Sequence, residues 1–433
     1  MQQNRTKARV VGVILTIGLI TVTGILFSRT AKTSGDRSIA SIDGDGVFQG
    51  PFAINKELLS AQIGAAVAQN TFPVEFDLSL DGGTKKTSVE YSLDEKSQQF
   101  MEKTVGQYRP DYAAFVAIDA RTGKILTMVS YSAVNGALSN LALQATFPAA
   151  SLFKVVTASA AIDLHKAEAS TVVPFNGANH TLYKSNVMDT KFNRWTRHMT
   201  MREAFARSVN TFFGKLGLFI VGPENLKTYA ERFQFNHQIR ADIPVQMGEA
   251  KFSMNDPWSV VSAASGFTRD NTMSPLQGAM MAAAISNDGV MMEPYLIESL
   301  KDENGLVMYE ASPKQASVVV DREAAEELRE LFSATVHSGT SRKSFRQTVR
   351  KASFDEVEFG GKTGSLTGLN PAGKCDWFIG YARYGGERVA VAALTVNEKK
   401  WRVKSATLAS LFFTQYLKSA LSSDQVARNS VSH

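Results

Sequence analysis

The strand-forming segments of this chain lie near its two ends, and this separation constrains the fold more than any other feature. Residues 112–130 alternate around a short turn and predict a β-hairpin, and residues 357–396 predict three further strands. Residues 151 to about 287, between them, have a mostly helical pattern. Because strands need partners, we predict an α+β fold in which both chain ends form one antiparallel sheet flanked by helices, with a mostly helical subdomain between them.

Local patterns predict further elements around this framework. A turn at Asp81-Gly82-Gly83 follows a segment that is strand-like over residues 71–80. Polar or amphipathic runs predict helices at 54–69, 94–106, 273–286, 321–337 and 403–417. The helix at 273–286 is predicted to end at Asn287-Asp288-Gly289.

The N-terminus contains an uncharged run, residues 10–27, behind the three cations Arg5, Lys7 and Arg9. A run of this length can cross a bilayer, and neither an Ala-x-Ala-like cleavage site nor a lipidation cysteine follows it. We therefore expect a short cytoplasmic tail at 1–9, a single transmembrane signal-anchor at 10–27, and export of the remaining chain. Residues 28–90 are expected to form a short exported tether and N-terminal segment.

The composition argues against several classes of function. The net charge of +6 is spread along the chain without a basic block, so nucleic acid is not an expected partner. A single cysteine, Cys375, excludes an internal disulfide, and the six histidines have no metal-ligand spacing. Lys362-Thr363 resembles the end of a phosphate-binding loop, but Glu356 stands where that loop needs glycine. We expect no cofactor and no metal.

Ser151 and Lys154 form the first pair with recognisable chemistry. A helix is predicted to begin near Pro148, because proline suits the first helical turn. Residues three apart share a helix face, so the lysine amine can approach the serine hydroxyl. A serine hydroxyl is a weak nucleophile until a base takes its proton, and a desolvated amine can do this.

Two more motifs follow in the chain. Ser208 and Asn210, separated by one residue, come after the helical segment 201–207, and Lys362-Thr363-Gly364-Ser365 stands at the end of a predicted strand. Each motif alone is weak evidence. Together and in this order they match the signature of serine β-lactamases and penicillin-binding proteins.

With these motifs the chain resembles the penicillin-binding transpeptidase family, in its monofunctional, class B-like form with a short N-terminal segment. Four further stretches are similar to family elements: residues 117–126, 147–161, 274–289 and 361–381. The resemblance covers about 91–420, which it identifies as the transpeptidase domain with a serine β-lactamase/transpeptidase-like fold. Residues 421–433 are then expected to be a flexible tail.

The resemblance implies a role for each motif residue. Ser151 would attack the carbonyl of a D-alanyl-D-alanine bond, with Lys154 as its base. Ser208 would pass a proton to the leaving amine, Asn210 would bind the donor peptide and fix Lys154, and Lys362 would supply positive charge to Ser208 and to the substrate carboxylate.

The same resemblance implies the substrate-binding residues. Thr363, Gly364 and Ser365 would line the substrate, and the two hydroxyls would bind its terminal carboxylate. Backbone N–H groups of Ser151 and Ser365 would form an oxyanion hole. A strand edge suits this role, since an extended peptide can lie alongside it.

The implied function is a peptidoglycan D,D-transpeptidase that cross-links stem peptides through an acyl-serine and is acylated by β-lactams. It would act on the periplasmic side of the bacterial inner membrane, with a glycosyltransferase as an expected partner. A D,D-carboxypeptidase, a serine β-lactamase and a non-enzymatic β-lactam sensor or scaffold are alternatives. The deacylating Glu-x-x-Leu-Asn loop of class A β-lactamases is missing, since Leu366 precedes Leu369-Asn370 by three residues. Sensors usually have several spans or a cytoplasmic module, which this sequence does not predict.

Overall fold

Strands from both ends of the chain form the central sheet, as predicted. The computed structural model describes residues 54–134, 139–188 and 191–431, with the side chains of 419, 420 and 422–431 left aside. In chain order its strands are β1 (Glu75–Leu80), β2 (Gly83–Tyr91), β3 (Tyr112–Asp119), β4 (Ile125–Ser132), β5 (Phe147–Pro148), β6 (Val172–Phe175), β7 (Arg197–Thr200), β8 (Thr272–Met273), β9 (Val290–Met292), β10 (Ile297–Asp302), β11 (Val307–Glu310), β12 (Gln315–Val318), β13 (Glu358–Leu369), β14 (Ala372–Tyr384) and β15 (Glu387–Asn397).

Helices make up most of the rest. In chain order they are α1 (Lys56–Ala68), α2 (Glu95–Tyr108), α3 (Phe153–Asp163), α4 (Lys184–Met188), α5 (Met201–Ala206), α6 (Asn210–Lys215), α7 (Pro223–Arg232), α8 (Pro257–Ala264), α9 (Pro275–Ser286), α10 (Arg322–His337), α11 (Arg342–Phe345) and α12 (Ser405–Val431). Short 3-10 turns occur at Leu141–Leu143, Ala150–Leu152 and Ala352–Phe354, and a π-helical turn occurs at Leu216–Val221.

The central sheet has five antiparallel strands in the order β13-β14-β15-β3-β4. Helix α9 covers one face, where Gly278 lets it approach so closely that an added Cβ would lie 3.1 Å from Ile379 Cγ2. Helix α12 covers the other face, where the rings of Phe412 and Phe115 are 5.1 Å apart. Burial on both faces explains why the inner strands are apolar throughout instead of alternating. Strand β13 is left at one edge.

Residues 54–90 are part of the same compact unit as the rest of the described chain. Helix α1, strand β1 and the turn after it were predicted as elements, but strand β2 was not, and their place in the main body was not predicted. Strand β2 pairs with β10, with Val89 opposite Leu300, and buried Lys56 forms a 3.0 Å ion pair with Glu293. Apolar residues of this segment such as Leu59 and Leu78 are fully buried, which is why it does not behave as a loose tether.

The predicted helix start near Pro148 was wrong. Residues Phe147–Pro148 instead pair with Thr272–Met273, a 3-10 turn follows, and α3 begins only at Phe153. The reason is that the Ala149 N–H bonds the Asn271 carbonyl, and Ala150 has a left-handed φ of 49°. Ser151 therefore lies in a tight turn and not inside an α-helix.

Other predicted elements were found with shifted bounds. The helices at 273–286 and 321–337 are confirmed as α9 and α10. Helix α12 continues to Val431, so the backbone of 421–431 is helical where a flexible tail was expected; no glycine or proline interrupts it. The predicted signal-anchor at 10–27 lies outside the described residues. Within those residues, no helix combines the length and apolar character needed to cross a membrane.

Candidate active site

A groove of about 550 Å³ runs along strand β13, where the sheet meets the helical subdomain. Of the eight predicted site residues, six line it: Ser151, Ser208, Asn210, Thr363, Gly364 and Ser365. The other two, Lys154 and Lys362, have no exposed surface and are bonded to residues that line it. Three separate segments of the chain thus bring all eight residues to one place.

The Ser151 turn is held by its neighbour Gly266. Ala150 has a left-handed φ, which is costly for a residue with a Cβ. Gly266, also left-handed at +65°, packs directly against it, and a Cβ there would lie 1.9 Å from the Ala150 carbonyl oxygen. Only glycine fits at 266, so the backbone before Ser151 is fixed by contact from the end of α8.

Lys154 is bonded to three oxygens. Its Nζ lies 2.7 Å from Ser151 Oγ and 2.8 Å from Asn210 Oδ1, and it donates to the Ser265 carbonyl. The amide and carbonyl oxygens can only accept hydrogen bonds. A neutral amine has two N–H groups and one lone pair, so both N–H groups go to these two oxygens. The lone pair then faces Ser151 Oγ, as a general base requires.

The electrostatics favour this neutral form. Burial lowers the pKa of Lys154 well below its ordinary value of 10.5, and the charge of Lys362 acts in the same direction. No carboxylate bonds the amine in the described structure. The surroundings therefore disfavour the ammonium form.

Ser208 and Asn210 lie where α5 gives way to α6. Ser208 has a left-handed φ of 56°, and Asn210 is held by its backbone N–H to the Asn179 carbonyl and by its Nδ2 to the His180 carbonyl. These bonds commit the Asn210 amide nitrogen elsewhere, so its oxygen faces Lys154. The orientation of the side chain follows from this bonding pattern.

Lys362 lies on the other side of Ser208. Its Nζ donates to Ser208 Oγ at 3.0 Å and to the Thr363 carbonyl at 2.8 Å, and it lies over the Phe205 ring. Burial lowers the pKa of Lys362 to about 7. This amine can therefore hold or release a proton near neutral pH.

The edge strand brings Thr363, Gly364 and Ser365 against the Ser151 turn. A Cβ at Gly364 would lie 3.4 Å from the Ser151 backbone nitrogen and 3.2 Å from Leu152 Cγ. Ser365 pairs with Asp376 on β14 and has an exposed side chain. Because β13 is an edge strand, one row of its backbone groups has no strand partner and remains open to a ligand.

Several residues that line the groove belong to none of the sequence motifs. Thr340, just after α10, has its hydroxyl 2.5 Å from that of Thr363, and His180, Lys343 and Lys404 also line the groove. Burial lowers the pKa of His180. No motif marks these residues, and the packing of α10, α11 and α12 on the sheet brings Thr340, Lys343 and Lys404 to the groove.

Asp376 and Trp377 support the groove through their contacts. Trp377 is buried, donates from Nε1 to the Pro148 carbonyl at 3.0 Å, and packs edge-on against Phe147. Asp376 accepts from the Ser405 N–H at 2.8 Å and from Lys404 Nζ at 3.2 Å. Both residues therefore fix the wall of the groove next to β13.

The fold and the site together define the class of protein: a serine acyltransferase fold with a serine and a buried lysine beside an exposed strand edge. Comparison with known families gives the particular one. The model of the penicillin-binding protein transpeptidase domain matches residues 113–415, well over half of the chain. The chain belongs to the penicillin-binding protein transpeptidase family.

Individual relatives agree with this assignment. The peptidoglycan D,D-transpeptidase PbpA of Mycolicibacterium smegmatis is 29% identical over 345 residues, covering 72% of this chain and 67% of the relative. The imipenem acyl-enzyme structure of penicillin-binding protein A from M. tuberculosis has a TM-score of 0.61 at 26% identity, covering 76% of this chain and 80% of the other. The D,D-transpeptidase domain from Eggerthella lenta has the same fold, with a TM-score of 0.65 at 24% identity, covering 88% of this chain and 95% of the other.

Proposed function

We propose that this protein is a peptidoglycan D,D-transpeptidase that cross-links stem peptides through an acyl-Ser151 intermediate and is acylated at the same serine by β-lactams. The observation that carries the proposal is the 2.7 Å contact between Ser151 Oγ and a buried Lys154 amine whose N–H groups are committed to other oxygens. A relative named as a D,D-transpeptidase, and the imipenem acyl-enzyme of a structural neighbour, support it.

In the acylation step, Lys154 takes the Ser151 hydroxyl proton as Oγ bonds to the penultimate D-alanyl carbonyl carbon. The carbonyl π electrons move to oxygen, and the backbone N–H groups of Ser151 and Ser365 stabilise this charge. Each such donor contributes about 3–4 kcal/mol in well-studied enzymes. The substrate peptide lies along the free edge of β13, which supplies backbone partners for it.

Collapse of the tetrahedral intermediate breaks the C–N bond and needs a proton on the leaving amine. Ser208 Oγ is bonded to Lys362 Nζ at 3.0 Å, so Ser208 gives its proton to the leaving nitrogen and regains one from Lys362. The Lys362 pKa of about 7 suits an acid of this kind. The terminal D-alanine then leaves with its new proton.

An acceptor amine completes the reaction by attacking the acyl-enzyme carbonyl. Its proton passes through Ser208 to Lys362, and Lys154 returns its proton to Ser151 Oγ as the C–Oγ bond breaks. Among the described residues that line the groove, Asp376 is the only carboxylate, and Ser405 and Lys404 engage it. No groove carboxylate is thus placed to activate a hydrolytic water. This arrangement favours amine transfer and long-lived β-lactam adducts over rapid hydrolysis.

We also propose the location that the substrate requires. Stem peptides lie outside the cytoplasm, so the catalytic domain is exported, and the uncharged run at 10–27 supports a single inner-membrane anchor. Cross-linking needs newly made glycan strands, so a glycosyltransferase is the expected partner. Fractionation of cells that produce the full chain, followed by protease accessibility, tests the topology.

A fluorescent penicillin tests the nucleophile. The wild-type chain should retain the label through denaturation, and Ser151→Ala should not. Ser159→Ala is the matched control, because Ser159 lies on α3 with a buried hydroxyl that has no hydrogen-bond partner in the described structure. Equal labelling of wild type and Ser151→Ala would overturn the assignment.

A defined stem-peptide donor distinguishes the reaction types. With an acceptor amine present, a transpeptidase yields the cross-linked product and free D-alanine. Release of D-alanine without the cross-linked product would instead identify a carboxypeptidase. Fast recovery of unlabelled enzyme after penicillin treatment would identify a β-lactamase.

A further inference from the structure

Lys343 is a cation in the groove that no motif identifies. It lies on α11 (Arg342–Phe345), is exposed, and lines the groove together with Ser151, Thr363 and Ser365. Within the described part of the chain its side chain forms no hydrogen bond or ion pair. An unpaired lysine at the wall of a substrate groove is available to a ligand.

The element that carries Lys343 is firmly placed. The buried ring of Phe345 packs 5.1 Å from the Phe378 ring on β14, and Ser344 Oγ lies 2.9 Å from Thr407 Oγ1 on α12. Just before α11, Thr340 donates its backbone N–H to the Ala206 carbonyl and has its hydroxyl 2.5 Å from that of Thr363. Lys343 therefore lies on a short helix held against the sheet. It follows Thr340, which contacts β13 directly, by three positions in the sequence.

The other cations of the groove are committed elsewhere. Lys362 is fully buried and directs its Nζ at Ser208 and the Thr363 carbonyl. Burial lowers the pKa of Lys362 to about 7, so it carries only part of a positive charge near neutral pH. Lys404 is half-exposed, but it pairs with Asp376 and lies 3.5 Å from the centre of the Trp401 ring. This leaves Lys343 as the accessible, uncompensated cation among the described groove-lining lysines.

We infer that Lys343 is a specificity-determining residue that binds the terminal carboxylate of the substrate, together with the hydroxyls of Thr363 and Ser365. The ligand class is a peptide with a free C-terminal carboxylate. This inference rests on the proposed transpeptidase function. Lys343 takes no part in proton transfer; it selects the charged end of the donor peptide and holds it at the strand edge.

Two forms of one thioester donor, with a free terminal carboxylate or a terminal carboxamide, test this role. Wild type should acylate faster with the acid. Lys343→Gln should lower kcat/KM for the acid about tenfold, the effect of losing one charge-assisted hydrogen bond, and should leave the amide rate unchanged. Lys343→Arg should recover most of the acid rate. The acid preference of the wild type should shrink as salt is raised, because the groove is open to solvent.

Lys103→Gln is the matched control. It removes the same charge from an exposed position on α2, a helix that Gln98 bonds to β4 at the opposite edge of the sheet. It should change neither rate. If Lys343→Gln slows both donors equally, its effect is structural and the inference is wrong; an unchanged acid rate also overturns it.

Failure of this inference is distinguishable from failure of the proposed function. The function fails if wild type forms no Ser151 adduct with the thioester or with penicillin. The Lys343 inference fails if the adduct forms normally while the acid–amide preference is the same in wild type and Lys343→Gln.

Discussion

Asn210→Asp tests most directly whether Lys154 acts as a neutral base. The substitution keeps the size of the side chain and places a carboxylate oxygen where Asn210 Oδ1 lies, 2.8 Å from Lys154 Nζ. In the native site, burial lowers the pKa of this amine, and no carboxylate opposes the effect. A nearby negative charge favours the ammonium form, which cannot accept the Ser151 proton.

The magnitude follows from the distance. Two opposite unit charges about 3 Å apart interact by about 6 kcal/mol at an effective dielectric constant near 20. One pKa unit corresponds to about 1.4 kcal/mol, so this interaction raises the Lys154 pKa by at most about 4 units. Desolvation of the new carboxylate opposes the effect, and we take a rise of about 2 pKa units as the lower bound. Where the wild-type amine is already neutral, acylation should slow by about 100- to 10,000-fold, and the rate should recover as pH rises toward the new pKa.

The assay is the rate of acylation by fluorescent penicillin from about pH 5 to pH 10. Asn210→Ala separates charge from bonding, because it removes one acceptor without adding a charge. It should cost about 1–3 kcal/mol, or about 5- to 150-fold, without an alkaline shift of the profile. Asn304→Asp, in the exposed turn between β10 and β11, adds the same charge away from the groove and should behave as wild type. A folded Asn210→Asp enzyme with the wild-type pH profile would refute Lys154 as the base.

Three other substitutions test separate parts of the structure. Gly266→Ala should lower the melting temperature and abolish acylation, since the added Cβ would lie 1.9 Å from the Ala150 carbonyl oxygen. Gly305→Ala is the control: Gly305 has a φ of +77° with open space around it, so the substitution should cost only the backbone strain of about 1 kcal/mol. Lys362→Met should be inactive yet more stable than wild type at pH 7. The Lys362 pKa of about 7 in the folded wild type lies below the unfolded value of 10.5, so between these two pH values the unfolded state binds more protons. The wild type therefore becomes more stable as pH rises. The difference in free energy of unfolding between the variant and the wild type, measured with urea, should shrink as pH approaches 10.5. Glu293→Ala leaves the buried Lys56 amine without its carboxylate and should lower the free energy of unfolding by about 3 kcal/mol; an unchanged value would show that α1 docks without this pair.

Sequence patterns were sufficient to predict the sheet and the motif residues. The hairpin at 112–130 and the strands at 357–396 were recognisable because their β-branched runs are bounded by glycine turns, and the structure pairs β15 with β3 as that arrangement requires. The motif residues could be singled out because the three short motifs occur together in the order of a known signature. The extent of β13 and β14 was underestimated, since their distal parts around Thr367 carry glycines and polar residues and lack an apolar signal.

The integration of the N-terminal segment could not be predicted in the same way. Helix α1 and strand β1 were recognisable locally, but the docking of this segment depends on contacts more than 200 residues away in sequence, such as Lys56 with Glu293. A single sequence gives no pairing information at that distance. The same holds for Thr340 and Lys343, whose positions depend on the packing of Phe345 against the sheet.

The positions of the Ser151 and Ser208 hydroxyls depend on backbone conformations that the residue types do not predict. Ala150 and Ser208 are both left-handed, although neither is a glycine, asparagine or aspartate, the residues that usually adopt this region. Each is held by its surroundings: Gly266 packs on the Ala150 carbonyl, and the Ser208 and Val209 N–H groups bond back to the end of α5. These two turns bring the Ser151 and Ser208 hydroxyls within bonding distance of two buried amines that belong to different segments. Strain of this kind persists only when packing over-determines it, so the stability of the core maintains the geometry on which the proposed chemistry depends.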